Sequence, residues 1–213
     1  MKLSMRRLSL FLLALPFAAL FTGCVTVEPY DYSALKQSAP RSILVLPPVN
    51  ESLEEAGTYG YFTTVTQPLA ELGYYVFPIG LVDEFLKANG LPTPHEMHQA
   101  PLDRLYEVFQ ADAVLYITLL RYGTSYAVIR SATTVSADAR LVDGRSGQLL
   151  WDGRLHAEHA PGSGGGIVEA LVAAVVNQII GQITDQGHTV SRMANNQIGR
   201  PTNGLLPGPY KRD

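Results

Sequence analysis

Ser42-Ile-Leu-Val-Leu-Pro-Pro48 is an unbroken apolar run stopped by two prolines. A strand with one wet face alternates apolar and polar residues. A continuous run instead fits a strand buried on both faces, as in the interior of a parallel sheet. Two further segments have the same β-rich character: Tyr74-Tyr-Val-Phe77, bounded by Gly73 and Pro78, and Ala113-Val-Leu-Tyr-Ile-Thr-Leu119. Between them the spacing predicts helices. Residues 59–72 have Thr58 available as N-cap and Gly73 as terminator, with Pro68 predicting a kink or an early end. Residues 81–89 close at Asn89-Gly90, residues 91–101 read as a loop, and residues 102–110 carry Leu102, Leu105, Tyr106 and Phe109 on one stripe. The order strand, helix, strand, helices, strand points to crossover units and partly parallel pairing.

Further along, the pattern changes. Residues 126–142 alternate, with Thr133, Val135, Ala137, Ala139 and Leu141 in step, and Asp143-Gly-Arg-Ser-Gly147 is a turn. Residues 148–157 then return as a strand, which makes an antiparallel hairpin with Trp151 expected to pack against the sheet. A glycine loop at 162–166 leads into residues 167–183, apolar at almost every position and read as a long helix buried in the fold or a dimer interface, with partner binding and membrane insertion as the alternatives. Residues 188–213 show no periodicity and read as an extended arm that wraps the surface or a partner. The fold class expected is α/β: a mixed sheet flanked by helices, with an antiparallel hairpin and a long apolar helix near the C-terminus.

The other end of the chain carries an address. Lys2, Arg6 and Arg7 precede a 14-residue apolar core from position 8 to 21, and Thr22-Gly23 precede Cys24. That core is short for a bilayer-spanning helix, which needs about 20 residues. Phe21-Thr-Gly-Cys24 resembles the bacterial lipobox, with Phe21 in the slot that usually holds Leu. The resemblance implies cleavage before Cys24 and lipidation of Cys24 by a diacylglycerol thioether and an N-acyl chain. Several chains anchor stably where one does so only marginally. Val25 in place of the inner-membrane retention Asp implies the outer membrane. Cys24 is the only cysteine, so no internal disulfide can form, and its place ahead of any fold argues against a nucleophile.

The expected organisation is a signal peptide (1–23), a lipidated tether (24–40), an α/β domain (41–187) and an extended C-terminal arm (188–213). Removing 23 of 213 residues leaves 190, enough for one domain. Three of the 16 Lys and Arg leave with the signal, so 13 face 19 Asp and Glu, a net charge of −6. Without a basic cluster, nucleic acid and anionic membrane surfaces are poor partners.

A set of segments also resembles a family of lipoproteins of Gram-negative bacteria typified by a neisserial surface lipoprotein. They are Glu28-Pro-Tyr-Asp-Tyr32, Ser42 to Pro48, Gly73-Tyr-Tyr-Val76, Ala113 to Thr118, Tyr122-Gly-Thr-Ser-Tyr126, Ser136-Ala-Asp-Ala-Arg-Leu-Val-Asp143, Val176-Asn-Gln-Ile179, Asn203-Gly-Leu-Leu206 and Gly208-Pro-Tyr210. The resemblance implies a fold like the N-terminal domain of TolB, association with a lipoprotein resembling CsgG (the curli-secretion pore), and dimer formation. It carries over no catalytic residue.

Candidate chemistry is sparse. His95-Glu-Met-His98 and His156-Ala-Glu-His159 look like ligand pairs, but zinc peptidases place histidines at i and i+4 on a helix and both pairs here are i, i+3. The glycines at 162–166 could offer amides to an anion, yet Ile167-Val168 stand where a phosphate loop needs Lys and Ser/Thr. Gly-x-Ser-x-Gly is absent. The expectation is therefore a lipoprotein anchored at the outer membrane through Cys24, facing the periplasm or the surface. It has no catalytic, cofactor or metal site and docks envelope proteins in a secretion or assembly complex. The alternative is an envelope hydrolase or a small-ligand-binding lipoprotein.

Overall fold

Strand β1 (Ser42–Val45) sits inside the sheet, with its residues 43 to 45 fully buried. The computed structural model describes residues 29–126, 131–160 and 186–212. Among them five more strands follow β1: β2 (Val49–Asn50), β3 (Tyr75–Val76), β4 (Ala113–Tyr126), β5 (Ser131–Asp143) and β6 (Leu149–His159). The sheet order is β3-β1-β4-β5-β6, with β2 continuing the line of β1 along β4. β1 runs parallel to β3 and β4, with Ile43 opposite Val76 on one side and Ala113 on the other. β4, β5 and β6 form an antiparallel meander. The mixed α/β sheet read from the apolar runs and the hairpin read from alternation are both present.

The helices divide between the two faces. α1 (Ser33–Ser38) precedes β1, and α2 (Gly57–Glu71) crosses from β2 to β3. α3 (Ile79–Ala88), α4 (Pro94–His98) and α5 (Leu102–Phe109) lie between β3 and β4, and α6 (Gln186–Asn195) follows β6. Leu44, Leu46, Val114 and Val142 form one core layer with Val82, Leu86, Met97 and Leu105, from α3, α4 and α5. Side chains alternate along a strand, so Ile43, Val45, Leu115, Ile117 and Leu119 face the other way. There α2 and α6 pack against the sheet and each other. The buried Asn195 Nδ2 donates to Thr64 Oγ1 (2.8 Å), which in turn donates to the Tyr61 carbonyl (2.7 Å), and this pins α6 to α2.

On β5 and β6 one face is closed and the other open. Val135, Ala137, Ala139, Leu141, Trp151 and Leu155 are buried, while Arg140, Asp152, Arg154 and His156 point outward. Among the described residues no helix covers that outward face; α3 to α5 reach only as far as Tyr116 and Val142.

Several expectations need correction. The segment read as a tether contains α1, with Leu35 buried, so the folded unit begins at Asp31 rather than at 41. The segment read as an extended arm opens with α6 and a 3₁₀ turn at Asn196–Gly199. Val190, Ala194 and Ile198 are buried at helical spacing, a stripe too narrow to stand out among polar neighbours. The loop read at 91–101 holds α4, started by a capping box in which Thr93 and Glu96 satisfy each other's backbone amides, with Pro94 at the first helical position.

Pro68 does not end α2, which runs to Glu71. Its ring removes the one amide that would bond the Thr64 carbonyl, while the helix around it is held by its buried face. Thr58 is not the N-cap but a buried residue inside α2, which has no side-chain cap. The helix does stop at Gly73 (φ +90°): Tyr74 N donates to Leu69 O and Gly73 N to Ala70 O, closing a Schellman motif. β4 extends past the predicted Leu119 because β5 pairs along it, across an irregularity between Leu119 and Arg121. The long apolar helix read at 167–183 lies outside the described residues, as do the glycine loop at 162–166 and Cys24. Among the described residues no helix is long and apolar enough to cross a membrane.

Candidate functional site

The histidine pairs do not make a metal site. His95 and His98 lie on α4, a helix of five residues. The Gln99 amide donates to His95 Nε2 (2.7 Å). His98 Nε2 lies 3.0 Å from the Pro47 carbonyl, which can only accept, so this nitrogen carries a proton rather than a free lone pair. The His98 ring meets Tyr116 edge-on at 5.3 Å, and burial lowers its pKa despite the bond to Pro47. His156 and His159 are three apart on β6, so their side chains leave opposite faces of the sheet. Among the described residues no cluster of three or more His, Cys, Asp or Glu could hold a metal.

The Asp143 turn is structural and does more than reverse the chain. Asp143 Oδ1 accepts from the amides of Arg145 (3.0 Å) and Ser146 (2.9 Å), and Oδ2 accepts from Ser38 Oγ (2.6 Å) at the end of α1. Burial works to raise the Asp143 pKa, but the bonds from Ser38, Ser146 and Arg145 outweigh it and hold it below the ordinary value. Trp151 is buried as expected, and its indole N–H donates to the Asn203 carbonyl (3.0 Å).

The C-terminal segment gathers the rest. Tyr32 Oη donates to Gly204 O (2.6 Å) and Tyr74 Oη to Leu206 O (2.7 Å); burial raises the Tyr74 pKa to about 12. At the end of α2, Lys211 Nζ donates to Glu71 O (2.7 Å), Gly208 N to Leu72 O (2.8 Å) and Tyr210 N to Gly73 O (3.0 Å). These are the carbonyls a helix end leaves unpaired. A shallow cavity of about 230 Å³ remains between α1 and this strap, lined by Leu35, Lys36, Pro40, Tyr74, Pro207 and Pro209. Periodicity gave no hint of this corner, because a proline- and glycine-rich strap has none.

The same stretch also closes the β6 edge. The Gln197 amide donates to His156 O (2.6 Å) and its oxygen accepts from His156 N (3.2 Å), taking the place of a neighbouring strand.

Four of the segments that carry the family resemblance thus meet at one corner: those around Tyr32, Gly73, Asn203 and Gly208. A family model described as "Putative lipoprotein GNA1162-like" matches residues 30–210, which spans this corner and the whole sheet. The chain belongs to the GNA1162-like family of lipoproteins. It is 48% identical over 183 residues to "Putative lipoprotein NMB1124/NMB1162" of Neisseria meningitidis serogroup B (strain ATCC BAA-335 / MC58), covering 84% of this chain and 85% of that protein. The crystal structure of lipoprotein GNA1162 from Neisseria meningitidis superposes with a TM-score of 0.55 at 48% identity, covering 67% of this chain and 99% of that one. The family match confirms the resemblance read from the sequence.

Proposed function

We propose that this GNA1162-like chain is lipidated at Cys24, held at the outer membrane, and works without catalysis as a docking component of an envelope secretion or assembly complex. The observation that carries the reading is the corner at which the N-terminal and C-terminal segments are tied, Tyr32 to Gly204 and α1 to the Asp143 turn. Because the folded unit starts at Asp31, only seven peptide links separate it from Cys24, and these span at most roughly 25 Å. The domain is therefore held close to its anchor, and its partners lie within that reach. A TolB-like arrangement, a CsgG-like partner and a homodimer are the finer form of this proposal and rest on the resemblance alone.

Metabolic labelling with a palmitate analogue and membrane fractionation test the anchor. The wild type should be labelled and sediment with the outer membrane, and Cys24→Ala should be unlabelled. An unlabelled wild type, or one found in the inner membrane, would overturn this reading. Crosslinking in intact cells tests the docking, which fails if no stoichiometric protein adduct forms.

A further inference from the structure

The edge strand β3 and helices α3 and α5 share an exposed apolar surface. Tyr75 is 52% exposed, Leu81 70%, Phe85 40% and Val108 53%. Edge-to-face ring contacts link Tyr75 to Phe85 through the half-buried Phe77 and Phe109: Tyr75 to Phe77 (5.2 Å), Phe77 to Phe109 (6.0 Å) and Phe109 to Phe85 (5.4 Å). Contiguous exposed apolar surface of this kind marks an interaction site more often than scattered single residues do.

Acidic residues outnumber basic ones on its two helices. α3 and α5 carry Asp83, Glu84, Asp103 and Glu107 against Lys87 and Arg104. Both cations are already engaged. Lys87 bonds Asp83 at 2.7 Å and sits over the Tyr59 ring, and Arg104 pairs with Glu107 at 2.8 Å. Among the described residues Glu84 and Asp103 have no cationic partner. Glu84 stands three residues beyond Leu81 on α3, so the two are neighbours on the helix surface.

We infer that this surface docks an apolar segment of another envelope protein flanked by Lys or Arg. The aromatic ladder supplies the apolar contact, and Glu84, unpaired beside Leu81, selects a positive flank by charge complementarity. A second copy of this chain would set two equally acidic helix surfaces against each other. The inference rests on the docking reading and locates its surface.

The test uses the full lipidated chain in neutral detergent, with a synthetic peptide of alternating Leu and Lys as probe and its Leu–Glu counterpart as control. The Leu–Lys peptide should bind the wild type at least tenfold more tightly than it binds Leu81→Ser/Phe85→Ser, and at least tenfold more tightly than the Leu–Glu peptide binds. Glu84→Lys should weaken Leu–Lys binding severalfold without touching the apolar surface. Equal affinities across these variants, or for the two peptides, would overturn the assignment. So would a dimer in solution that Phe85→Ser converts to a monomer. If crosslinks to a partner in cells persist in Leu81→Ser/Phe85→Ser, the docking reading stands and this surface is wrong.

Discussion

The two halves of the sheet bury the same kinds of residue by different means. In the parallel half, β3-β1-β4, helices cover both faces, and Ile43 and Leu44 on opposite faces are both fully buried. In the antiparallel half, β5 and β6 keep one face for the core and leave Arg140, Arg154 and Asp152 on the other. The closed half must match shapes on two sides, whereas the open half tolerates any polar grid that keeps the strands apart from other chains. The exposed aromatic surface lies beside the closed half, at the short β3 edge. The long β6 edge is instead blunted by the Gln197 amide and by Arg200, which donates to Arg154 O (3.4 Å).

Substitutions should separate the halves by size of effect. Leu44→Ala removes a side chain at 0% exposure and should cost about 2–5 kcal/mol in urea unfolding, since the surrounding layer cannot collapse from either side. A cost below about 1 kcal/mol would show that the closed half is not tightly packed. Gly187→Ala comes next. A methyl there would sit 2.5 Å from Tyr122 ring atoms at the start of α6, so a loss of about 1–3 kcal/mol is expected. Thr93→Ala breaks the α4 capping box and should lower stability by about 1 kcal/mol. Arg154→Ala removes a bidentate pair with Asp138 (2.7 and 2.8 Å) across β5 and β6, but both side chains are largely exposed, so the change should stay within about 1 kcal/mol.

His98 lies at the seam between the halves, between Pro47 and Tyr116, and gives the comparison a pH dependence. Its folded pKa is depressed below 6.5 by burial, so the unfolded chain takes up the proton first as pH falls. The stability it contributes is present above about pH 6.5 and is lost as pH drops through the folded value. Melting temperatures of the wild type should therefore fall more steeply below that point than those of His98→Gln; parallel curves would remove His98 from the account.

Which parts were legible follows from the same physics. The closed half was readable because burial on both faces writes a continuous apolar run, as in Ser42 to Leu46. The hairpin was readable because one buried face writes alternation, and Asp143 to Gly147 writes the turn. α4 had a legible signal in Thr93-Pro94-His95-Glu96, hidden by its length of five residues. The C-terminal strap, the Gln197 clasp and the aromatic surface were not legible, because each depends on groups far apart in the chain. Tyr75, Phe85 and Phe109 belong to three segments that meet only after folding.

A photo-reactive residue placed at position 85 in one strain and at position 140 in another, in otherwise wild-type cells, tests the central claim most directly. Position 85 should give a discrete adduct with a different envelope protein, and position 140 on the open face should give none. Equal adducts from both positions, or only a self-adduct from 85, would contradict it.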